Sequence, residues 1–99
     1  GNAGDFVLIN GTGLSANGVS QKNPGKRFVV IDKKLPTSEF PAGQWNSYDI
    51  YCQGGSIRCL VNGTLQNEGT NADPAGGWIA LQSEGSPIEF RNVSLEPVD

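Results

Sequence analysis

The stretch that decides the fold is residues 45–66, which read WNSYDIYCQGGSIRCLVNGTLQ. Two runs rich in β-branched and aromatic residues flank Gly54-Gly55, and a Gly-Gly pair between such runs is typical of a hairpin turn, because both central residues of the favoured turn need positive φ. With these glycines as the loop, Ile50 lies opposite Cys59. The two strands then share one apolar face, which carries Tyr48, Ile50, Cys52, Ile57, Cys59 and Val61.

The rest of the chain repeats this pattern more weakly. Asn62-Gly63 predicts the next turn, into a third strand that starts at residues 64–66. Short apolar or alternating runs, separated by Gly, Pro and Asn, predict further strands at 6–9, 14–20, 28–31, 78–82 and 88–95, with a turn at 21–25, a surface connection at 32–43 and a loop at 67–77.

The last two predicted strands form a hairpin with one apolar face. The residues expected to point inward are Ile79, Leu81, Ile88 and Phe90, followed by Val93 and Leu95. The inward positions change from even to odd residue numbers between Phe90 and Val93, which predicts a bulge or bend near Arg91-Asn92. The regular turns, with no helical period, indicate an all-β sandwich or barrel.

Composition limits the function classes. The 99 residues predict a single domain over 1–99. Histidine is absent, which removes histidine triads and most zinc sites. No phosphate-binding or dinucleotide motif is present, so we expect no cofactor. Residues 67–73 carry oxygen ligands of the kind that Ca²⁺ takes, but without the alternating spacing of a known calcium loop, so a plain turn is favoured and no metal is expected.

Charge and hydropathy exclude two further classes of partner. The net charge is −3, and the basic residues that lie at or before residue 34 are Lys22, Lys26, Arg27, Lys33 and Lys34. They flank a turn and one short strand without interleaved aromatic residues, so we expect no nucleic-acid binding. No apolar stretch approaches the roughly 20 residues of a membrane span, and any signal peptide is expected to have been removed already.

The two cysteines lie on the same face of the predicted hairpin. A Gly54-Gly55 loop makes Cys52 and Cys59 diagonal neighbours, whereas a loop at Gly55-Ser56 places them directly opposite and allows a disulfide. Parity does not separate these registers, since a shift of two residues keeps every side chain on its face. We favour two reduced core thiols, and without a nearby base neither cysteine is expected to be catalytic.

Several segments resemble a known family. They are residues 45–50 (WNSYDI), 61–63 (VNG), 79–85 (IALQSEG), 88–93 (IEFRNV) and 95–97 (LEP). Together they are similar to the 3-keto-disaccharide hydrolase domains. The resemblance implies an antiparallel, concanavalin-like jelly-roll sandwich in an exported bacterial protein that acts in sugar breakdown. Family domains are usually near twice this length, so we expect a partial sandwich that a partner chain completes by dimerisation or strand exchange, or a truncated product.

The resemblance implies cleavage of a glycosidic bond, which directs attention to carboxylates and a cation. Pairing Ser83 with Ile88 in the last hairpin would place polar side chains on its non-core face, with Ala80 opposite Arg91. On that basis the predicted catalytic residues are Glu84, Glu89 and Arg91, and the predicted substrate-binding residues are Gln82, Tyr51 and Trp78. The alternative is that Glu89 and Arg91 make ordinary surface and cross-strand pairs.

Two functions follow from these expectations. The first is a hydrolase or lyase that acts on 3-keto glycosides outside the cytoplasm, in the extracellular space or the periplasm. A carboxylate would remove the acidic proton beside the ketone, and Arg91 would stabilise the oxyanion. The second is a non-catalytic carbohydrate-binding or scaffold module of the same fold. A third and weaker reading is a fragment that folds only by pairing with a copy of itself.

Overall fold

The computed structural model describes residues 3–9, 11–16, 19–25, 28–74, 76, 80–81 and 86–97. Within these residues the chain is all-β and antiparallel. Its strands are β1 (Phe6–Ile9), β2 (Gly13–Ala16), β3 (Val19–Lys22), β4 (Phe28–Ile31), β5 (Tyr48–Gln53), β6 (Ser56–Val61) and β7 (Thr64–Asp73). One sheet pairs β1 with β4, and the other has the order β3-β2-β7-β6-β5. No membrane-spanning helix occurs in this described part of the chain.

The predicted meander is confirmed, and its register is the one with Gly54-Gly55 as the loop. Ile50 pairs with Cys59. Of the two loop glycines only Gly54 has a positive φ, 59°. A type II′ turn requires a positive φ at its first central residue alone, so the expectation of two such residues is corrected. The next turn does have two, since Asn62 and Gly63 have φ of 51° and 81°.

The prediction of a loop at 67–77 is wrong for residues 67–73. Strand β7 continues through Asp73 and lies in the middle of the larger sheet, between β6 and β2. Paired backbone on both sides holds this polar segment in the sheet despite its weak β-propensity. The predicted strand 14–20 is instead a hairpin, in which Leu14 of β2 pairs with Gln21 of β3. Strand β3 therefore extends into the turn predicted at 21–25.

The core lies between the two sheets. Its buried members are Leu8, Leu14, Ala16 and Ile31, with Phe6, Val29, Ile57 and Ala72 packed partly buried against them. A glycine permits close packing in this core, since a Cβ on Gly69 would lie 2.7 Å from Leu14 side-chain atoms. The same packing buries only one face of the strand predicted at 6–9. Leu8 points into the core, whereas Val7 and Ile9 lie on the exposed outer face of the small sheet.

Buried amides tie these elements together. The Asn67 side chain is fully buried, and its Nδ2 donates to the carbonyls of Gly4, Ile31 and Asp32, each at 3.2 Å. Gln66 is also fully buried and holds the connection after β4, since its Nε2 donates to the Pro36 carbonyl. Backbone groups of the irregular segments therefore find partners on β7, as buried polar groups require.

The C-terminal segment departs most from the prediction. Residues 86–97 form no strand, and neither do residues 80–81, so the predicted ribbon is wrong in its described part. The side chains of Leu81, Ile88 and Phe90 are 55%, 54% and 47% exposed rather than inward. Ile79 lies outside the described residues. Asn92 has a φ of 54° in a bend, which confirms the expected bend and interrupts the extended backbone.

Candidate functional site

The predicted site residues fall into two groups. Glu84, Gln82 and Trp78 lie outside the described residues. The other three, Glu89, Arg91 and Tyr51, are described and exposed, but Arg91 and Tyr51 make different contacts. Each contact joins an arginine to an aromatic ring.

Arg91 lies over Trp45. Its guanidinium carbon is 4.0 Å from the centroid of the Trp45 ring, which is the distance of a close cation–π contact. This contact takes the place of the cross-strand neighbour, Ala80, that the sequence predicted for Arg91. The guanidinium therefore docks the irregular segment 86–97 on the connection that precedes β5. A cation held by a ring keeps its charge, because the indole face is attractive but not anionic.

Hydrogen bonds fix the backbone beside Trp45. The Asn46 Oδ1 accepts from the Phe40 amide at 2.7 Å and from the Asn62 Nδ2 at 2.8 Å. The Asn62 Oδ1 in turn accepts from the Ser47 amide at 2.8 Å. Asn62 is thus the turn residue that the Asn-Gly pair predicted, and its side chain also locks residues 46–47. These bonds give the Trp45 ring a defined support.

A second arrangement crosses the larger sheet. Tyr51, Arg58 and Glu68 lie directly opposite one another on β5, β6 and β7. The Arg58 guanidinium carbon is 5.8 Å from the Tyr51 ring centroid, and its Nε is 3.9 Å from the Glu68 Oε2. The other carboxylate oxygen of Glu68 lies 3.3 Å from the Lys34 Nζ. We call these four residues the polar row.

The polar row borders an open groove of about 360 Å³, a size at the lower end of the range for small-molecule sites. Its lining includes Ser15, Lys34, Ser56, Arg58, Glu68 and Thr70. All carry hydroxyl or charged groups, so the groove can donate and accept hydrogen bonds along its length. It contains two cations and one carboxylate.

Sequence analysis found one member of the polar row, Tyr51, and missed the other three. Arg58 could have been found, because the predicted register that pairs Ile50 with Cys59 also pairs Tyr51 with Arg58. Glu68 was hidden by the prediction of a loop after residue 66. Lys34 had no local signal, since its place in the groove depends on how the connection after β4 folds over the sheet.

The two cysteines lie on the opposite face and are both free, as expected for reduced thiols. Cys59 is buried, whereas Cys52 is exposed, so the prediction of two core thiols is wrong for Cys52. Burial raises the pKa of the Cys59 thiol, which makes it a poor nucleophile. Burial and a hydrogen bond to Cys59 raise the pKa of Tyr48 to about 12. Neither group is poised for acid–base chemistry near neutral pH.

Comparison with known proteins identifies the chain by family. No curated protein and no solved structure matches it. The family model described as the 3-keto-alpha-glucoside-1,2-lyase-like domain matches residues 7–96, which is most of the chain. The match includes β2 to β7 and all of β1 except Phe6, together with the Trp45–Arg91 contact and the polar row. The chain therefore belongs to the family of 3-keto-alpha-glucoside-1,2-lyase-like domains, which is a carbohydrate-related family.

Proposed function

We propose that this domain cleaves 3-keto glycosides outside the bacterial cytoplasm, by elimination followed by hydration. Membership of a family whose model is named for a 3-keto-α-glucoside lyase supports the substrate class. The ketone supports the reaction class, because it acidifies the hydrogen on the adjacent carbon. A protein without histidine can use carboxylates and arginine for this chemistry.

The reaction needs one base and one positive group. The base removes the proton from the carbon between the ketone and the anomeric carbon, and the electron pair moves onto the ketone oxygen as an enolate. The bond from the anomeric carbon to the leaving oxygen then breaks, a carbon–carbon double bond forms, and the leaving alcohol takes up a proton. Water adds across that double bond, so the net change is hydrolysis and no redox partner is consumed.

We assign the base to Glu84 or Glu89 and the enolate-stabilising cation to Arg91. The observation that carries the assignment is the position of Arg91, whose guanidinium stacks on Trp45 in an exposed segment that also contains Glu89. Within the residues that the structure describes, no carboxylate neutralises this guanidinium, so its charge is available to a developing oxyanion. Gln82, Tyr51 and Trp78 are proposed to bind the sugar, through an amide hydrogen bond and through aromatic faces.

Turnover of matched substrates tests the proposal. The protein is incubated with a 3-keto-glucoside and with the parent glucoside, and release of the leaving alcohol is followed. We expect release from the ketone alone, and a loss of about 10²–10³ in kcat for Arg91→Ala, as for removal of one oxyanion donor. Removal of the base, by Glu84→Gln or Glu89→Gln, should cost about 10²–10⁴.

Glu96→Gln is the matched control, because Glu96 is exposed on the same segment and has no assigned role. Its rate should equal that of the wild type. If Arg91→Ala and both glutamate variants also keep the wild-type rate, the assigned site is wrong. If neither substrate is cleaved, the enzymatic proposal fails.

A non-catalytic carbohydrate-binding module is the second candidate function. The polar row favours it, since two cations and neighbouring hydroxyls line a groove that can hold a sugar without any reaction, and the exposed Tyr51 ring lies beside Arg58. Measurable sugar binding without turnover of the 3-keto-glucoside would select this candidate.

A further inference from the structure

We propose that the groove beside the polar row binds a saccharide that carries a carboxylate, that is, a uronate unit. The inference concerns Lys34, Arg58 and Glu68 together with the hydroxyls around them, none of which is assigned to cleavage. Tyr51, proposed above to bind the sugar, lies beside Arg58 but does not line this groove. It does not require that the domain cleaves 3-keto glycosides.

The groove carries a local surplus of positive charge. Lys34 and Arg58 share one carboxylate, that of Glu68, because its two oxygens face one cation each. Two positive groups against one negative group leave a formal charge of +1 in the groove, on a chain whose net charge is −3. This local surplus favours an anionic ligand over a neutral one.

Arg58 is only loosely paired with Glu68. Its Nε lies 3.9 Å from the Glu68 Oε2, which is longer than a hydrogen bond. Arg58 is about half exposed, with its guanidinium beside the Tyr51 ring. Within the described residues its fork of donors makes no hydrogen bond to a carboxylate, and a planar carboxylate is the ligand that fits this fork in two parallel bonds.

The backbone positions of the groove residues are fixed by strand pairing and by a backbone hydrogen bond. Arg58 projects from β6 and Glu68 from β7, which are internal strands of the larger sheet. Lys34 is fixed by its backbone, whose amide donates to the Gln66 carbonyl at 2.6 Å. Ser15 and Thr70 lie directly opposite each other on β2 and β7 and supply hydroxyls to the same groove. Groups on paired strands are held in place before the ligand arrives, which favours binding.

A pair of disaccharides tests the inference. Cellobiouronate and cellobiose differ in one carboxylate, and neither carries a ketone, so the result is independent of the cleavage proposal. Titrations followed by calorimetry or by NMR should show that cellobiouronate binds about tenfold more tightly, which corresponds to about 1.4 kcal/mol. The preference should largely disappear at about 1 M salt, where the Debye length is about 3 Å.

Variants of the polar row sharpen the test. Arg58→Gln keeps most of the side-chain stem but removes the charge, and it should lose about tenfold in affinity for cellobiouronate, or about 1.4 kcal/mol. Glu68→Gln removes the competing carboxylate and should strengthen that affinity. Lys22→Ala is the control, because Lys22 is an exposed cation on β3, the outer strand of the same sheet. This variant should bind cellobiouronate as tightly as the wild type does.

Thermal melts of each variant exclude unfolding as the cause of a lost signal. Equal affinity for the two disaccharides, or binding of neither, would overturn the inference. Weaker binding of cellobiouronate by Glu68→Gln would overturn it as well, since Glu68 would then contact the sugar rather than compete with its carboxylate.

Discussion

Strand β6 and the segment 86–97 share a sequence pattern but not a structure. Both alternate apolar and polar residues, with Ile57, Cys59 and Val61 in one and Ile88 and Phe90 in the other. Cys59 and Val61 are 1% exposed, whereas Ile88 and Phe90 are about half exposed in a segment without strand structure. An alternating sequence allows a segment to form a strand, but the segment becomes a strand only when neighbouring strands are available to pair with it.

The difference has a structural cause. Strand β6 lies between β5 and β7, and tight turns at Gly54-Gly55 and Asn62-Gly63 bring both neighbours to it. The segment 86–97 has no strand partner among the described residues, and Asn92 turns its backbone through the left-handed region. Its described contact is the Arg91 side chain on Trp45. The comparison predicts that mutations will be costly in the first region and mild in the second.

The largest expected effect on stability comes from a mutation in the core between the two sheets. Leu14→Ala should lower the free energy of unfolding by about 2–5 kcal/mol, because it removes a buried side chain packed on Gly69. Ile88→Ala is the matched truncation in the segment 86–97, and it should change the free energy of unfolding by less than about 0.5 kcal/mol. Urea unfolding measures both. If Ile88→Ala lowers the free energy of unfolding as much as Leu14→Ala does, the segment 86–97 is packed against the rest of the protein and the comparison is wrong.

A smaller effect is expected at the buried amide of β7. Asn67→Ala leaves the carbonyls of Gly4, Ile31 and Asp32 without their donor, which should cost about 1–3 kcal/mol of unfolding free energy. Ser94→Ala is the exposed control in the segment 86–97 and should be nearly neutral. Urea unfolding again reports the difference, and an Asn67→Ala variant as stable as wild type would contradict the role of this side chain.

The smallest effect on stability is expected at alkaline pH and comes from Tyr48 on β5, the outer strand of the larger sheet. The pKa of Tyr48 is raised from 10.0 to about 12, mainly by burial. The folded chain therefore holds this proton more tightly than the unfolded chain, so the stabilisation is complete below pH 10 and is lost as the pH rises towards 12. The raised pKa of Cys59 acts in the same direction.

Unfolding free energies measured between pH 8 and about 12 check this linkage. Tyr48→Phe should show a shallower alkaline loss than wild type, with the part due to Cys59 remaining. Identical curves for Tyr48→Phe and wild type would contradict the environment found for Tyr48.

Local chemistry made part of the fold predictable. The Gly-Gly and Asn-Gly turns predicted the β5–β6–β7 meander, and the choice of Gly54-Gly55 as the loop paired Ile50 with Cys59 correctly. Strand β7 was cut short because residues 67–73 are polar, although a central position in the sheet keeps them extended. In its described part the C-terminal ribbon was predicted wrongly, because a period of two says nothing about whether a partner strand is available.

The candidate site was less predictable than the fold. Lys34, Arg58 and Glu68 come from a connection and two strands, so only the packed sheet brings them together. The contact between Arg91 and Trp45 joins residues 46 positions apart (91 − 45 = 46) and has no local signature. The partner chain expected to complete the sandwich stays a prediction. The exposed apolar residues Val7, Ile9, Phe28 and Val30 mark the outer face of the small sheet that such a partner could cover.

Deuterium incorporation tests the central claim, cleavage by elimination and hydration, most directly. The protein is given a 3-keto-glucoside in D₂O, and the released 3-keto sugar is examined at once by NMR, against a reaction without protein that corrects for spontaneous exchange. We predict deuterium on the carbon between the ketone and the anomeric carbon in every product molecule. Product that keeps its original hydrogen there would contradict elimination and show direct displacement at the glycosidic bond.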